Sequence, residues 1–150
     1  MEKSIFNSTD NHEIIHRIKQ LKPDSKALWG KMNAAQMLAH LQPPIHVALG
    51  DAKLKRGLIG ILFGGIAKKK MLGNEPFKKG LPTDKSFIVK DVRNFEDEKK
   101  KLIALIQNLA DARSYALTKE PHPFFGKLTA EEWNTLIWKH LDHHLRQFGV

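Results

Sequence analysis

The sequence predicts an all-α fold, a bundle of four helices with a long crossover between the second and third. Three observations carry that expectation. Four segments place apolar residues at helical spacing, capping residues stand at their starts, and no segment shows the two-residue alternation of a half-buried strand. The first helix is expected near Asp10, where Asp10 and Glu13 have capping-box spacing; Ile14, Ile18 and Leu21 form its stripe, and Lys22-Pro23 stops it. The second begins at Asn33, with Gln36 three residues on, and carries Met37, Leu38, His40 and Leu41. Pro43 and Pro44 lack the amide proton that a helix interior uses, so they either end this helix or kink it into a continuation through Val47 to Gly50. The third runs from about Asn94 to Arg113, with Phe95, Leu102, Leu105, Ile106 and Leu109 on one face. The fourth opens on the capping box Thr129-Ala-Glu-Glu132 and continues to Phe148 before Gly149.

At 150 residues the chain has the common length of one domain, and we read residues 1–150 as such. The hydrophobic content of 41% and the charged content of 27% are those of an ordinary globular protein. No stretch approaches the roughly 18 consecutive apolar residues of a membrane span, and the first residues hold no secretory apolar run, so a cytoplasmic location is expected. With no cysteine, disulfides, a Cys nucleophile and thiolate metal sites are excluded, and any metal must rest on His, Asp or Glu.

The formal charge of +9 raises the question of an acidic partner. Much of it is local. Lys53, Lys55 and Arg56 precede the apolar run Leu58 to Ile66, and Lys68, Lys69, Lys70, Lys78 and Lys79 follow it. This basic connection, LIGILFGGI at its centre, reads first as an irregular segment or short helix packed over the bundle. The other readings are a lid, a dimer contact or a membrane-surface element.

Eight histidines must be weighed one by one. His140 and His144 stand four residues apart, one turn on a helix, and so present their rings to one side. At about 100° per residue they fall within the arc of Trp133, Leu136, Ile137, Leu141, Leu145 and Phe148, which must face the core. Thr135, Lys139, Asp142 and Arg146 fall on the opposite, solvent side, with His143 at the boundary. Two imidazoles on an apolar face need partners, and one shared cation serves both. His12 and His16 have the same spacing but lie opposite Ile14, Ile18 and Leu21, which makes them surface residues. A catalytic metal takes about three protein ligands and keeps an open position. His40, among Met37 and Leu41 on the second helix, is the natural third ligand, with His46 as runner-up. Gln36, one turn before His40, is placed to line the site, and His122 to stand at its mouth.

The stretches Trp29-Gly-Lys-Met-Asn-Ala-Ala-Gln36-Met-Leu-Ala-His40, His122-Pro-Phe-Phe-Gly-Lys-Leu-Thr-Ala-Glu-Glu-Trp133 and Lys139-His140-Leu-Asp-His-His144-Leu-Arg-Gln-Phe-Gly149 resemble the DinB-like superfamily of metal-binding four-helix bundles. The resemblance spans nearly the whole chain and points to a branch related to thiol S-transferases and a thiol-dependent maleylpyruvate isomerase. It implies an up-down-down-up bundle, often dimeric, in which His40, His140 and His144 bind zinc, nickel or iron. Pro43-Pro44 departs from the pattern expected of most members.

Three neutral imidazoles leave a divalent ion its charge, which acidifies a bound thiol or water. The expectation is therefore a metal-dependent transferase acting on a small-molecule substrate with a low-molecular-weight thiol cosubstrate, or a hydrolase activating water at the same ion. The competing expectation is a non-enzymatic basic bundle that binds nucleic acid or an anionic membrane through residues 53–79. One Tyr and no interleaving of aromatic with basic residues weigh against nucleic acid.

Overall fold

The computed structural model describes residues 3–52, 54 and 57–150; Lys53, Lys55 and Arg56 of the basic connection lie outside them. The described chain is all-helical, with α1 Ser8–Gln20, α2 Ala34–His40, α3 Gln42–Leu49, α4 Leu58–Leu72, α5 Phe95–Ala112 and α6 Ala130–Gln147. Two short 3-10 turns cover Lys85–Phe87 and Arg113–Ala116. Among the described residues the only β-type pairing is an isolated bridge between His122 and Gly126.

Local chemistry sets the helix starts. Asn33 Oδ1 accepts from the Gln36 amide at 2.8 Å while Gln36 Oε1 accepts from the Asn33 amide at 3.1 Å, a closed capping box. Thr129 and Glu132 make the same exchange at α6, at 3.2 and 2.8 Å. The first helix departs from the sequence expectation. Its cap is Asn7, whose Oδ1 accepts from Thr9 and Asp10, and the Asp10 carboxylate turns back to accept from the Ser4 amide at 3.0 Å.

Pro43 and Pro44 kink the second helix rather than ending the helical run. They fall in the first turn of α3, where an amide proton has no intrahelical acceptor to meet. The Ala39 and His40 carbonyls lose their usual donors four residues on, because those residues are the prolines. Gln42 bridges the break. Its Nε2 lies 3.1 Å from the Leu38 carbonyl and 2.7 Å from Glu98 Oε2 on α5, so the kink is stitched to the neighbouring helix.

The core draws on five of these helices, through residues such as Ile14, Ile18, Leu38, Ile45, Ile106 and Leu141. α5 lies against α1, α2 and α3, whereas α6 lies against α1, α3 and α4. Buried Asn11 ties α1 to this frame by donating to the Ile5 and Ile106 carbonyls at 2.8 and 2.7 Å. The face of α6 expected in solvent is partly covered. Asp142 accepts from Arg17 of α1 and from Arg146, each at 2.9 Å, and Lys139 Nζ donates to the Met71 and Gly73 carbonyls at the end of α4. Among the described residues no helix is long and apolar enough to cross a membrane.

Candidate metal centre

The kink between α2 and α3 makes His40 the last residue of α2, and its ring is buried. The apolar arc of α6 carries His144 into the same space, with His140 one turn earlier. The donor nitrogens of His40, His140 and His144 lie within 4.8 Å of one another. His40 Nε2 and His140 Nε2 are 3.1 Å apart. The three ring centroids stand 4.7, 4.8 and 5.0 Å from each other with the planes steeply inclined, so the rings converge edge to face rather than stacking.

Two neighbours settle which nitrogen of His40 and of His144 carries the proton. His40 Nδ1 lies 2.8 Å from the Phe87 carbonyl, which can only accept, so Nδ1 donates and neutral His40 keeps its lone pair on Nε2. Gln147 Nε2 donates to the Trp29 carbonyl at 2.6 Å, which turns its Oε1 toward His144 Nδ1 at 2.7 Å. His144 Nδ1 therefore donates as well, and its Nε2 is left as a lone pair. Gly30 allows this arrangement. It adopts φ +84°, and a Cβ there would stand 2.4 Å from Gln147 Nε2, so only glycine lets the chain turn over that amide.

Lone pairs aimed at one another repel unless something positive lies between them. A proton on His140 Nε2 satisfies His40 but leaves His144 without a donor among the described residues, whereas one divalent cation satisfies all three rings. The set also suits such an ion by type, since imidazole nitrogens are preferred by zinc, nickel and iron. Nitrogens of a tetrahedral zinc site, with bonds of about 2.0–2.1 Å, stand about 3.3 Å apart; the His40–His140 pair is near that spacing, and the set of three is contained within 4.8 Å. Among the described residues no carboxylate joins the cluster, so the three imidazoles leave the charge of a cation uncompensated.

Burial pushes all three histidines toward the neutral form that a ligand needs. His40 is lowered by desolvation, partly offset by the Phe87 carbonyl. His144 falls to about 3, with desolvation first and the Gln147 hydrogen bond opposing it. His140 keeps some surface yet sits deep in the protein mass; desolvation, then its histidine neighbours, holds it well below the usual range.

The remaining sequence candidates are placed elsewhere. His12 and His16 are exposed, as their position opposite the apolar stripe requires. His46 faces Asp51 at 3.3 Å, outside the cluster. Gln36 commits its amide to the capping box and to the Asp91 carbonyl, so it does not line the site. His122 Nδ1 accepts from the Phe124 and Phe125 amides at 3.0 and 3.1 Å; it shapes the turn before α6, and burial lowers it to about 4. His143 does adjoin the centre. Its ring lies 5.0 Å from that of His144 and edge-on to Trp29, and it lines a groove of about 420 Å³ together with Phe77, Lys79, Lys139 and Arg146. Sequence reasoning missed Gln147 and Phe87. Gln147 stands three residues after His144 and was within reach of helical spacing, but Phe87 acts through its backbone in a connection without a pattern.

Residues 2–149 match the family described as "Protein of unknown function (DUF1569)". The chain belongs to the DUF1569 family. That family lies within the DinB-like superfamily, in agreement with the resemblance carried by the histidine-bearing stretches. No curated protein and no solved structure matches this DUF1569 chain.

The depressed histidines make the metal-free DUF1569 protein sensitive to acid. In the unfolded chain an imidazole titrates near 6.5, so below that pH the unfolded state binds more protons than the folded one and stability falls as pH falls. For His122 and His144 the loss runs from about 6.5 down to about 4 and about 3. Urea unfolding of metal-free protein across this window should show stability rising with pH, and His122→Asn should reduce the slope by up to one proton. A flat profile would contradict the buried neutral rings.

Proposed function

We propose that this DUF1569 chain is a divalent-metal-dependent enzyme, one DinB-like up-down-down-up bundle in which His40, His140 and His144 hold zinc, nickel or iron. Its reaction is the transfer of a small thiol to an electrophilic substrate, with hydrolysis at the same centre as the close variant. The observation that carries this reading is the convergence of three imidazoles, two of which have Nδ1 committed to fixed acceptors. A purely structural zinc site is usually closed by four ligands, whereas three protein nitrogens leave room for an exogenous group.

When bound, the ion supplies Lewis acidity, which favours the deprotonated form of a thiol or water and polarises a substrate oxygen. The chain's residues supply the rest. Phe87 and Gln147 fix the His40 and His144 rings, so ligand geometry is set before substrate arrives. Because the chain has no cysteine, the sulfur comes from a cosubstrate. Lys79 and Lys139, held over the Trp29 and Phe77 rings on the wall of the groove that His143 lines, favour an anionic substrate or thiol. His143, lowered by burial and therefore neutral at pH 7, is the ring placed to take up the proton that a thiol releases. The basic-bundle alternative gives the converging lone pairs no role.

Purified protein reconstituted with zinc, nickel or iron(II) should hold close to one ion per chain by elemental analysis, and His140→Ala should hold almost none. The loaded protein should accelerate consumption of at least one small thiol in a screen against chromogenic electrophiles, and chelation should abolish the rate. Equal, near-zero metal in wild type and variant would remove the site. Full metal with no thiol reaction but ester hydrolysis would select the water variant.

The positioning role of Gln147 has its own consequence. Gln147→Leu removes the acceptor for His144 Nδ1 without touching a ligand, and should weaken zinc affinity about 10–100-fold in competition with a chromogenic chelator. Gln147→Glu, which restores an acceptor, should recover most of it. Unchanged affinity in Gln147→Leu would show that the contact does not orient the ring.

A further inference from the structure

α4 is attached to the bundle through Gly64 and through lysine contacts at its C-terminal half. Gly64 lies so close to the turn before α6 that a Cβ would stand 2.1 Å from the Phe124 carbonyl oxygen. Lys68, beside it on the inner face, reaches Glu132 and the Lys127 carbonyl, each at 2.8 Å. Lys139 holds the last turn through the Met71 and Gly73 carbonyls at 2.7 Å. These contacts turn Ile61, Leu62, Phe63 and Ile66 outward; Leu62 is 70% and Ile66 74% exposed. At about 100° per residue the four side chains cover about 200° of the helix, and Lys69 and Lys70 lie within the same arc at its C-terminal end.

We propose that this outward face of α4 docks on an anionic lipid surface, independently of the reaction at the histidine centre. Apolar side chains in an outward arc enter the boundary between headgroups and acyl chains, while lysines extend their ammonium groups to lipid phosphates. At 15 residues, about 22 Å, the helix suits lying in the interface rather than crossing it. Charge separates this occupant from the alternatives. A second copy would bring like charges together. Paired in parallel, Lys69 and Lys70 meet their own counterparts. Nucleic acid would answer the lysines but leave four large apolar side chains in water. An anionic bilayer satisfies both, and the net charge of +9 adds to the attraction.

The test is co-sedimentation of the full chain with phosphatidylcholine vesicles, with and without phosphatidylglycerol, at low and high salt. Wild type should partition onto the anionic vesicles about ten-fold more strongly than onto phosphatidylcholine alone, and less so at high salt. The double variants Leu62→Asn/Ile66→Asn and Lys69→Glu/Lys70→Glu should each lose about ten-fold, with thermal unfolding and metal content unchanged. No partition at low ionic strength would overturn the proposal. So would vesicle binding that the Leu62→Asn/Ile66→Asn variant retains in full, or a wild-type dimer that this variant dissociates and vesicles do not. Retention on duplex DNA matching that on vesicles, untouched by the apolar variant, would assign the surface to phosphate alone.

Discussion

Three imidazoles inside an apolar bundle cannot be charged without cost and cannot be left unpaired without cost, and the centre of this molecule is organised around that constraint. The Phe87 carbonyl and the Gln147 amide oxygen resolve half of it by taking the Nδ1 protons of His40 and His144. The other half is left open by the same contacts, because fixing Nδ1 as donor aims both Nε2 lone pairs inward. The His140 ring completes a set of three whose nitrogens lie close enough to bind one metal ion. Features far from the chemistry serve this end. Pro43 and Pro44 terminate α2 at His40, and Gly30 permits the turn whose neighbour, Trp29, anchors Gln147.

The long connection between α3 and α5 does two unrelated things. Its 3-10 turn, held by Asp84 accepting from the Ser86 amide, delivers the Phe87 carbonyl to His40. Its α4 lies against α6 and the turn preceding it, and presents an apolar arc to the outside. The first role explains why so long a segment is kept in contact with the site. The second gives a physical reason for the placement of large apolar residues on the outside of a helix whose inner face holds Gly64, Ala67, Lys68 and Met71.

Much of the centre was legible in the sequence because helical periodicity is a rigid rule. Spacing alone put His140 and His144 on the buried arc and put His12 and His16 outside, and the capping boxes at Asn33 and Thr129 stand where their residue types require. Contributions that depend on tertiary approach were not legible. Asp10 has capping chemistry, but Asn7 competes for the same amides and Asp10 is drawn to Ser4. Gln36 faces the right way along α2 yet spends its amide on the cap. Lys139 and Asp142 lie opposite the apolar arc, as expected, and still meet protein, because Arg17 and the end of α4 arrive from elements whose positions no local pattern encodes.

X-ray absorption of the zinc- or nickel-loaded protein reads directly, without knowledge of any substrate, whether three ring nitrogens share one ion. The spectrum should show about three imidazoles in the inner shell, with the remaining positions filled by light oxygen scatterers. A shell of oxygen alone, or one unchanged when His40 is replaced by alanine, would contradict a shared ion.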